Sequence, residues 1–298
     1  MSITAGRVCI KYLGTGCLMK FTYGKRCIVT QQGNHLYGGE MSTKNTGVVI
    51  KVIEDGLLNA YKLPLYQVEP FEVWGKLSRA AKSLVSHSID TYGIHEGIID
   101  DLAQSYIDGA QKHLAMIGAT GGIGGPIGIA TMMVDIEEYV RTLYKLAQEL
   151  GYLYGVLPSP LIPKEEIATL SLEDYMYIIR EDILKIIALG SGVGGVSLAI
   201  REVAKQIAQK EAKEILRKKI NDKMITHLAK QIAKILGVKL TKKTISKSVL
   251  RVVPIVGGIV SAGINYYAIG KLGKSMQNAL KREREKYRQI LKETGNLT

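Results

Sequence analysis

The sequence predicts a mainly α-helical fold: a large helical bundle with glycine-rich apolar hairpins, preceded by a small β-rich N-terminal module. Three observations lead to this prediction. Up to about residue 70, short runs of β-branched and aromatic residues alternate with turn-forming residues. Beyond that point the apolar residues recur at helical spacing, and three long segments carry no charge. We therefore expect two domains, residues 1–69 and residues 70–298.

The β-rich module is predicted from four short runs that are separated by turns. The strand candidates are RVCIKY, CLMKF, RCIVT and TGVVIKVI, and the turns are GTG, YGK, QQGN and EDG. This pattern stops at Leu63 and Pro64, and by Val73 or Trp74 the apolar spacing is helical. The module is therefore expected to end before residue 70.

Cysteine is confined to this module. Cys9, Cys17 and Cys27 are odd in number, and the chain opens with MSITAGRVCIKY, which lacks the apolar core of a signal peptide. We therefore expect a reduced, cytosolic setting. The cysteines lack the C-x2-C pairing of zinc sites and are interpreted as buried structural thiols, with a zinc site completed by His35 as the alternative.

The rest of the chain is predicted to be helical. Helices are expected over residues 72–88, 96–117 and 129–153. The prolines of LPSPLIP then interrupt the chain at residues 157–163. Ser171 has the spacing of a helix N-cap, with Asp174 three residues later in the place of the capping-box acid. A long amphipathic stretch follows over residues 199–236, with isoleucine and leucine on one face and mostly lysine on the other.

Three glycine-rich segments, residues 114–134, 186–200 and 252–270, contain no charged residue. The outer two, with 21 and 19 residues, are about long enough to span a bilayer, and the middle one, with 15, is too short to do so alone. Glycine disfavours a helix in water by about 1 kcal/mol relative to alanine, so its concentration here needs a reason. Small-x-x-x-small spacing supplies one, because it lets helices approach closely. The glycines predicted to pack in this way are Gly118, Gly122, Gly125, Gly190, Gly194 and Gly258.

Three interpretations of these uncharged segments stay open: buried helical hairpins in a soluble bundle, shallow embedding in a membrane, and a ligand-binding glycine loop. The third is disfavoured, because phosphate-binding loops follow a buried strand and lead into a helix. Here GATGGIGGPIG follows a helical pattern, and no P-loop lysine comes after it. No cofactor is therefore expected.

Two sequence blocks resemble a known family. GATGGIGGPIGIATMMVDIEEYVRTLYKLAQELGYLYG, the helical middle section and VVPIVGGIVSAGINYYAIGKLGKSM together resemble the EcsC protein family of bacteria. The resemblance covers about residues 70–295. It implies a helical protein that is associated in some bacteria with an ABC-transporter operon and is thought to sit at the membrane. It brings no catalytic residues with it.

Charge is distributed unevenly along the chain. The net charge is +13; residues 1–200 carry 17 Lys and Arg against 20 Asp and Glu, whereas residues 201–298 carry 23 against 7. A basic region of this kind favours an anionic partner. We expect anionic membrane lipids or a membrane protein, with lysines at the headgroups and isoleucines entering the acyl boundary. Nucleic acid is disfavoured, because residues 201–251 contain no aromatic residue for base stacking. The residues expected to bind the anionic surface are Lys213, Arg217, Lys218, Lys219, Lys223, Lys230 and Lys234.

No arrangement of residues is typical of a catalytic site. The most polar stretch, SHSIDTYGIHEGIIDDLAQSYIDGAQKH, lacks the spacing of helical metal sites and is interpreted as a solvated helix face. If it does hold a site, the candidates are His95, Asp101 and His113. After the first uncharged segment, an acid pair or a simple water boundary is expected from Asp135, Glu137 and Glu138.

The leading functional hypothesis is a non-catalytic helical protein that associates with the inner face of a bacterial membrane, peripherally or by shallow hairpins. Its role would be accessory to transport or another membrane process. The alternative is a soluble interaction module whose basic C-terminal face binds an acidic protein or nucleic acid. Retention on anionic liposomes but not on DNA distinguishes the two.

Overall fold

The computed structural model describes the backbone of residues 2–5, 8–13, 18–23, 26–31, 44–62, 66–120, 127–161, 171–193, 222–236 and 257–297. The side chains of the strands and of residues 44–46, 61, 118–120, 127–133, 172–173 and 257–262 lie outside this description. The chain forms two compact units, Met1–Glu40 and Met41–Thr298.

The first unit contains four strands: β1 Ser2–Ala5, β2 Val8–Leu13, β3 Leu18–Tyr23 and β4 Arg26–Gln31. They pair antiparallel in sequence order, with Phe21 opposite Ile10 on one side and Ile28 on the other. Beyond the backbone of these strands, the β-rich module over residues 1–69 stays a prediction. The roles expected for Cys9, Cys17, Cys27 and His35 also fall outside the described side chains.

The second unit is helical, which confirms the mainly α fold. Its helices are α1 Lys44–Asn59, α2 Pro70–Ala81, α3 Glu96–Thr120, α4 Ile127–Leu153, α5 Leu172–Gly190, α6 Asp222–Ile235 and α7 Gly257–Glu293. Two short 3-10 helices, Ala60–Lys62 and Ser88–Gly93, follow α1 and precede α3. Over residues 257–270 the third uncharged segment is therefore the first part of one continuous helix, α7, rather than a hairpin.

Helix α1 corrects the prediction of a strand over TGVVIKVI. Its buried side chains include Val49, Ile53 and Leu57, which are spaced four residues apart and so lie on one helical face. This face packs against α4 and α6, and a Cβ placed on Gly56 would lie 2.9 Å from Val140 Cγ1. The helical unit therefore begins before the predicted boundary at residue 70.

Helix α2 ends earlier than the predicted range of 72–88. Lys82 adopts a left-handed conformation with φ of 51°, and its N–H bonds back to Ser78 O. Beyond it, Asp90 Oδ2 accepts from the backbone N–H groups of Ser86 and His87 at 2.9 and 2.8 Å. These side-chain bonds cap a separate 3-10 turn, which explains why the helix does not continue.

The N-cap predicted at Ser171 is confirmed. Its hydroxyl accepts from Asp174 N at 3.1 Å and donates to Asp174 Oδ2 at 2.8 Å at the start of α5.

Helix α4 is the centre of the helical unit, because it contacts α1, α2, α3, α5 and α7. Its fully buried side chains include Tyr139, Leu143, Leu146 and Leu150. Helix α6 packs on α1, and the apolar faces of these helices form one continuous core with α4.

A buried arginine joins α7 to the C-terminal end of α4. Arg284 is 1% exposed and donates to Thr91 O at 2.6 Å, to Thr91 Oγ1 at 3.0 Å and to Tyr154 O at 3.0 Å. Its guanidinium lies 4.5 Å from the centre of the Tyr92 ring. Burial lowers the pKa of Arg284, but these contacts satisfy most of its donors.

Candidate functional site

The described parts of the outer uncharged segments lie at one end of the helical unit. On α3, Gln111 Nε2 donates to Tyr266 O of α7 at 3.0 Å, whereas the earlier residue Asp100 binds Lys281 Nζ at 2.6 Å. The two helices are therefore antiparallel, and the end of α3 meets the start of α7. The start of α4 lies at the same end, because His113 Nε2 on α3 is 3.1 Å from the carboxylate of Glu138 on α4.

Helix α5, which leads into the middle uncharged segment, points towards the same end. Asp182 acts electrostatically on Tyr287 of α7, and Gly190 lies against Met276, so α5 and α7 are antiparallel. A Cβ on Gly190 would lie 3.2 Å from Met276 Cα and closer still to Met276 Cγ, so the two helices approach closely there.

The other five glycines predicted to allow close packing lie outside the described side chains. Gly118 and Gly258 are in the helical backbone of α3 and α7, and Gly122, Gly125 and Gly194 are outside the described residues. Their close packing stays a prediction.

Four large apolar side chains are exposed at this end of the unit. Met116, Val134, Tyr266 and Tyr267 expose 63, 50, 46 and 68% of their surface, and we call them the apolar end. Met116 lies about one turn beyond His113 on α3, and Val134 lies about one turn before Glu138 on α4. The contact between His113 and Glu138 therefore places both at a similar height. Clustered exposed apolar side chains are typical of membrane, protein or ligand binding surfaces.

A polar cluster lies one turn behind Met116 and Val134. Tyr66 Oη donates to the Glu138 carboxylate, with both oxygens at 2.6 Å, and Arg141 lies 3.7 Å from the same carboxylate. Arg141 also pairs with Glu137, and its guanidinium lies 5.5 Å from the centre of the Tyr66 ring. We define the polar cluster as Tyr66, His113, Glu137, Glu138 and Arg141.

The electrostatics of the polar cluster favour a fixed charge pattern. Burial, followed by the nearby Glu138 carboxylate, raises the pKa of Tyr66 to about 12, so its hydroxyl stays protonated and remains a donor. The side chains of Glu138 and Glu137 are 15 and 21% exposed, and both are bound by donors. The side-chain contacts of the polar cluster therefore connect the segment before α2 to helices α3 and α4.

The candidate catalytic residues are separated along α3. His95 Nδ1 accepts from Gly97 N at 3.2 Å at the start of the helix, and exposed Asp101 is twelve residues, or about 18 Å of helix, from His113. Of the predicted acids, Glu137 and Glu138 are engaged by Arg141 and the polar cluster. Within the ranges that the structure describes, no three His, Cys, Asp or Glu side chains are grouped so that they could hold a metal ion.

The lysines predicted to bind an anionic surface are described in part. Lys223 and Lys234 of α6 are exposed and Lys230 is half-buried, whereas Lys213, Arg217, Lys218 and Lys219 lie outside the described residues.

The apolar face of α6 is not open to lipid. Ile225, Leu228 and Ile232 are buried in the core, and Thr226 Oγ1 donates to Glu54 Oε1 of α1 at 2.7 Å. Over α6, this corrects the expectation that its isoleucines enter the acyl boundary, because α1 and the rest of the core cover them.

Several residues of this site were not singled out from the sequence. Arg141 follows Glu137 and Glu138 by four and three residues, which is a recognisable helical ion-pair spacing. The adjacent Tyr266 and Tyr267 are the aromatic residues of the third uncharged segment, which is a second available signal. Tyr66 has no local signal, because its partner Glu138 is 72 residues away.

Among the described helices, none combines the length and the apolar character that a bilayer crossing requires. No family model matches the chain, and the comparisons with curated proteins and with solved structures give no match either.

Proposed function

We propose that the protein binds a lipid membrane peripherally through the apolar end, in a non-catalytic role. The observation that carries this proposal is the exposure of Met116, Val134, Tyr266 and Tyr267 where the outer uncharged segments begin or end. Leaving these side chains in water is unfavourable, and their burial in the acyl boundary would relieve that cost.

The chemistry of the apolar end suits the membrane interface. Tyr266 and Tyr267 combine an apolar ring with a hydroxyl, and tyrosine is enriched where a membrane meets water. The polar cluster lies about 5 Å behind Met116 and Val134, one helical turn away and at about the level of Tyr266, and so would stay with the tyrosines on the headgroup side. The helical unit would thus approach the membrane with the C-terminal part of α3 and the N-terminal parts of α4 and α7 foremost.

The strength of this binding can be estimated from area. Full burial of a large apolar side chain is worth about 1.5 to 3 kcal/mol, and these four are roughly half exposed, so together they contribute about 3 to 6 kcal/mol. A single myristoyl chain, for comparison, gives marginal and reversible binding. We therefore propose reversible association rather than permanent anchoring.

The resemblance to the EcsC family and the strongly basic C-terminal region support the same proposal. Members of that family are thought to sit at the membrane, and residues 201–298 favour an anionic surface. We propose the inner, cytoplasmic face of a bacterial membrane as the location, with a role accessory to a transport or membrane process.

Insertion of the apolar end can be tested with brominated lipids, which quench a tryptophan that enters the acyl region. Tyr267→Trp places the reporter at the apolar end, and Leu84→Trp is the matched control at a side chain that is 83% exposed. Leu84 belongs to the segment that packs on α2 near the C-terminal end of α4, where Trp74 Nε1 donates to Tyr152 O at 3.2 Å. The buried native Trp74 gives the same background in both variants.

We expect brominated vesicles to quench the reporter at position 267 and to leave the one at position 84 unchanged. Equal quenching at both positions, or none at position 267, would overturn the proposal. In flotation with vesicles, Tyr266→Ser/Tyr267→Ser should weaken binding, whereas Phe71→Ser/Leu84→Ser should not. A chain that is retained by duplex DNA and does not float with vesicles would instead support the soluble interaction module.

A further inference from the structure

We infer that Lys112 and Lys271 bind the phosphate groups of anionic phospholipids beside the apolar end. This inference rests on the proposed membrane binding and adds the lipid class and the residues that select it. It differs from the anionic surface predicted from the sequence, which lies on residues 213–234. We call Lys112 and Lys271 the lysine pair.

The height of the lysine pair matches the headgroup layer. Lys112 precedes Met116 on α3 by four residues, and Lys271 follows Tyr267 on α7 by four residues, so each lies about 6 Å behind an exposed apolar side chain. The headgroup layer of one leaflet is about 5 to 8 Å thick. When Met116 reaches the acyl boundary, Lys112 is at the level of the interfacial tyrosines and Lys271 about one turn behind Tyr267, so both are within the headgroup layer, and their flexible stems let them adjust.

The two lysines belong to neighbouring helices. The bond from Gln111 Nε2 to Tyr266 O joins α3 and α7 at this level, and a Cβ on Gly270 would lie 2.8 Å from Gln111 Cδ. Lys112 follows Gln111, and Lys271 follows Gly270, so the close approach of the helices brings the two positions to within about one helical turn of each other in height.

Both lysines are exposed, and in the part of the chain that the structure describes neither forms an ion pair. Some lysines of the unit are paired, as Lys281 is with Asp100 at 2.6 Å and Lys185 is with Asp182 at 2.8 Å. The lysine pair is thus available to an external anion.

The acidic residues at this level are turned to internal partners. Glu138 and Glu137 are mostly covered and are bound by the other members of the polar cluster. Asp135 is half-buried and also has an interaction partner. Asp108, one turn before Lys112 on α3, accepts from Gln104 Nε2 at 2.6 Å. The accessible charge near the apolar end is therefore positive on the α3 and α7 side, which is complementary to a lipid phosphate.

Stable membrane binding through a weak apolar anchor requires a second attraction to the membrane. One modest apolar anchor gives marginal binding, and stable membrane association takes a second signal such as basic residues. Each lysine at an anionic surface strengthens binding about fivefold, so the pair should account for about 25-fold.

Vesicle binding of the full chain tests this inference. Vesicles of phosphatidylcholine alone are compared with vesicles that contain about one third phosphatidylglycerol, at low and at high salt. The test variant is Lys112→Gln/Lys271→Gln. A matched variant, Lys82→Gln/Lys292→Gln, removes the same charge at positions remote from the apolar end. Circular dichroism confirms that each variant is folded.

The wild type should bind the anionic vesicles more tightly, and high salt should remove the difference. The test variant should lose about 25-fold on anionic vesicles and nothing on neutral ones, whereas the matched variant stays within about threefold of the wild type. The inference is wrong if the matched variant loses as much as the test variant, or if the test variant loses nothing. Equal wild-type binding to both vesicles overturns the inference and leaves the proposed function standing. Binding to neither overturns both.

Discussion

Gly155→Ala is predicted to destabilise the helical unit far more than the same change at Gly192, although both glycines serve the same backbone motif. The two residues follow α4 and α5 and have φ of 68 and 71°. In each case the glycine N–H and the next N–H bond back into the helix, as Val156 N does to Gly151 O at 2.9 Å and Val193 N to Ala188 O at 3.0 Å. This is the Schellman ending, which favours glycine.

The difference between the two positions lies in what a new methyl group would meet. An alanine in the left-handed conformation costs about 1 kcal/mol at either position. At Gly192 nothing lies within 4 Å of the added Cβ, so the cost ends there. At Gly155 the Cβ would lie 2.6 Å from Ser88 O, which is a backbone atom, and closer still to Thr91 Oγ1.

Relief of that overlap must move backbone as well as side chain. Thr91 also accepts from Arg284 at 3.0 Å, so the shift disturbs the buried arginine. Overpacking of this kind costs about 1 to 3 kcal/mol. Added to the conformational cost, it predicts a loss of about 2 to 4 kcal/mol for Gly155→Ala, against about 1 kcal/mol for Gly192→Ala.

Urea unfolding followed by Trp74 fluorescence measures both values. The chain has one tryptophan, and Trp74 is buried beside Tyr152 close to the end of α4, so the signal reports the helical unit. With a slope of about 3 kcal/mol/M, the midpoint should fall by about 0.3 M for Gly192→Ala and by about 1 M for Gly155→Ala. Midpoints that differ by less than about 0.1 M would refute the argument from crowding at Ser88 and Thr91.

Two further predictions concern ionisable side chains that the fold covers. Burial raises the pKa of Glu149 from 4.5 to about 7, so the folded state retains a proton that the unfolded chain releases. The stability from this group is therefore lost as pH rises from about 4.5 to 7, and the free energy of unfolding should fall by about 2 kcal/mol between pH 5 and 8. Urea titrations at both pH values should show that Glu149→Gln removes this component. A pH dependence that is unchanged in the variant would contradict the prediction. Arg284→Met leaves the carbonyls of Thr91 and Tyr154 without their donor, and a net loss of about 3 kcal/mol should lower Tm by about 6 to 12 °C in a circular dichroism melt. A variant that melts with the wild type would show that these bonds contribute nothing.

Local signals in the sequence predicted several elements well. The start of α3 at Glu96, the end of α4 at Leu153 and the N-cap at Ser171 agree with the structure. These features depend on periodicity and on capping side chains within a few residues, so the sequence contains the information that decides them.

Helix α1 shows where local signals fail. The run VVIKVI is rich in β-branched residues and fits a strand, yet Val49, Ile53 and Leu57 also have helical spacing. Packing against α4 and α6 resolves this ambiguity in favour of the helix, in which these three residues are buried against the two neighbouring helices.

The sequence by itself determined the helical class, the uncharged glycine-rich segments and the uneven charge. Tertiary structure decided which apolar residues are left exposed, that the apolar face of α6 is covered, and that His113, Glu138 and Tyr66 meet one turn behind Met116 and Val134. The physical reason is that periodicity shows that a helix has an apolar face but not what covers it, and exposure depends on neighbours that are distant in the chain.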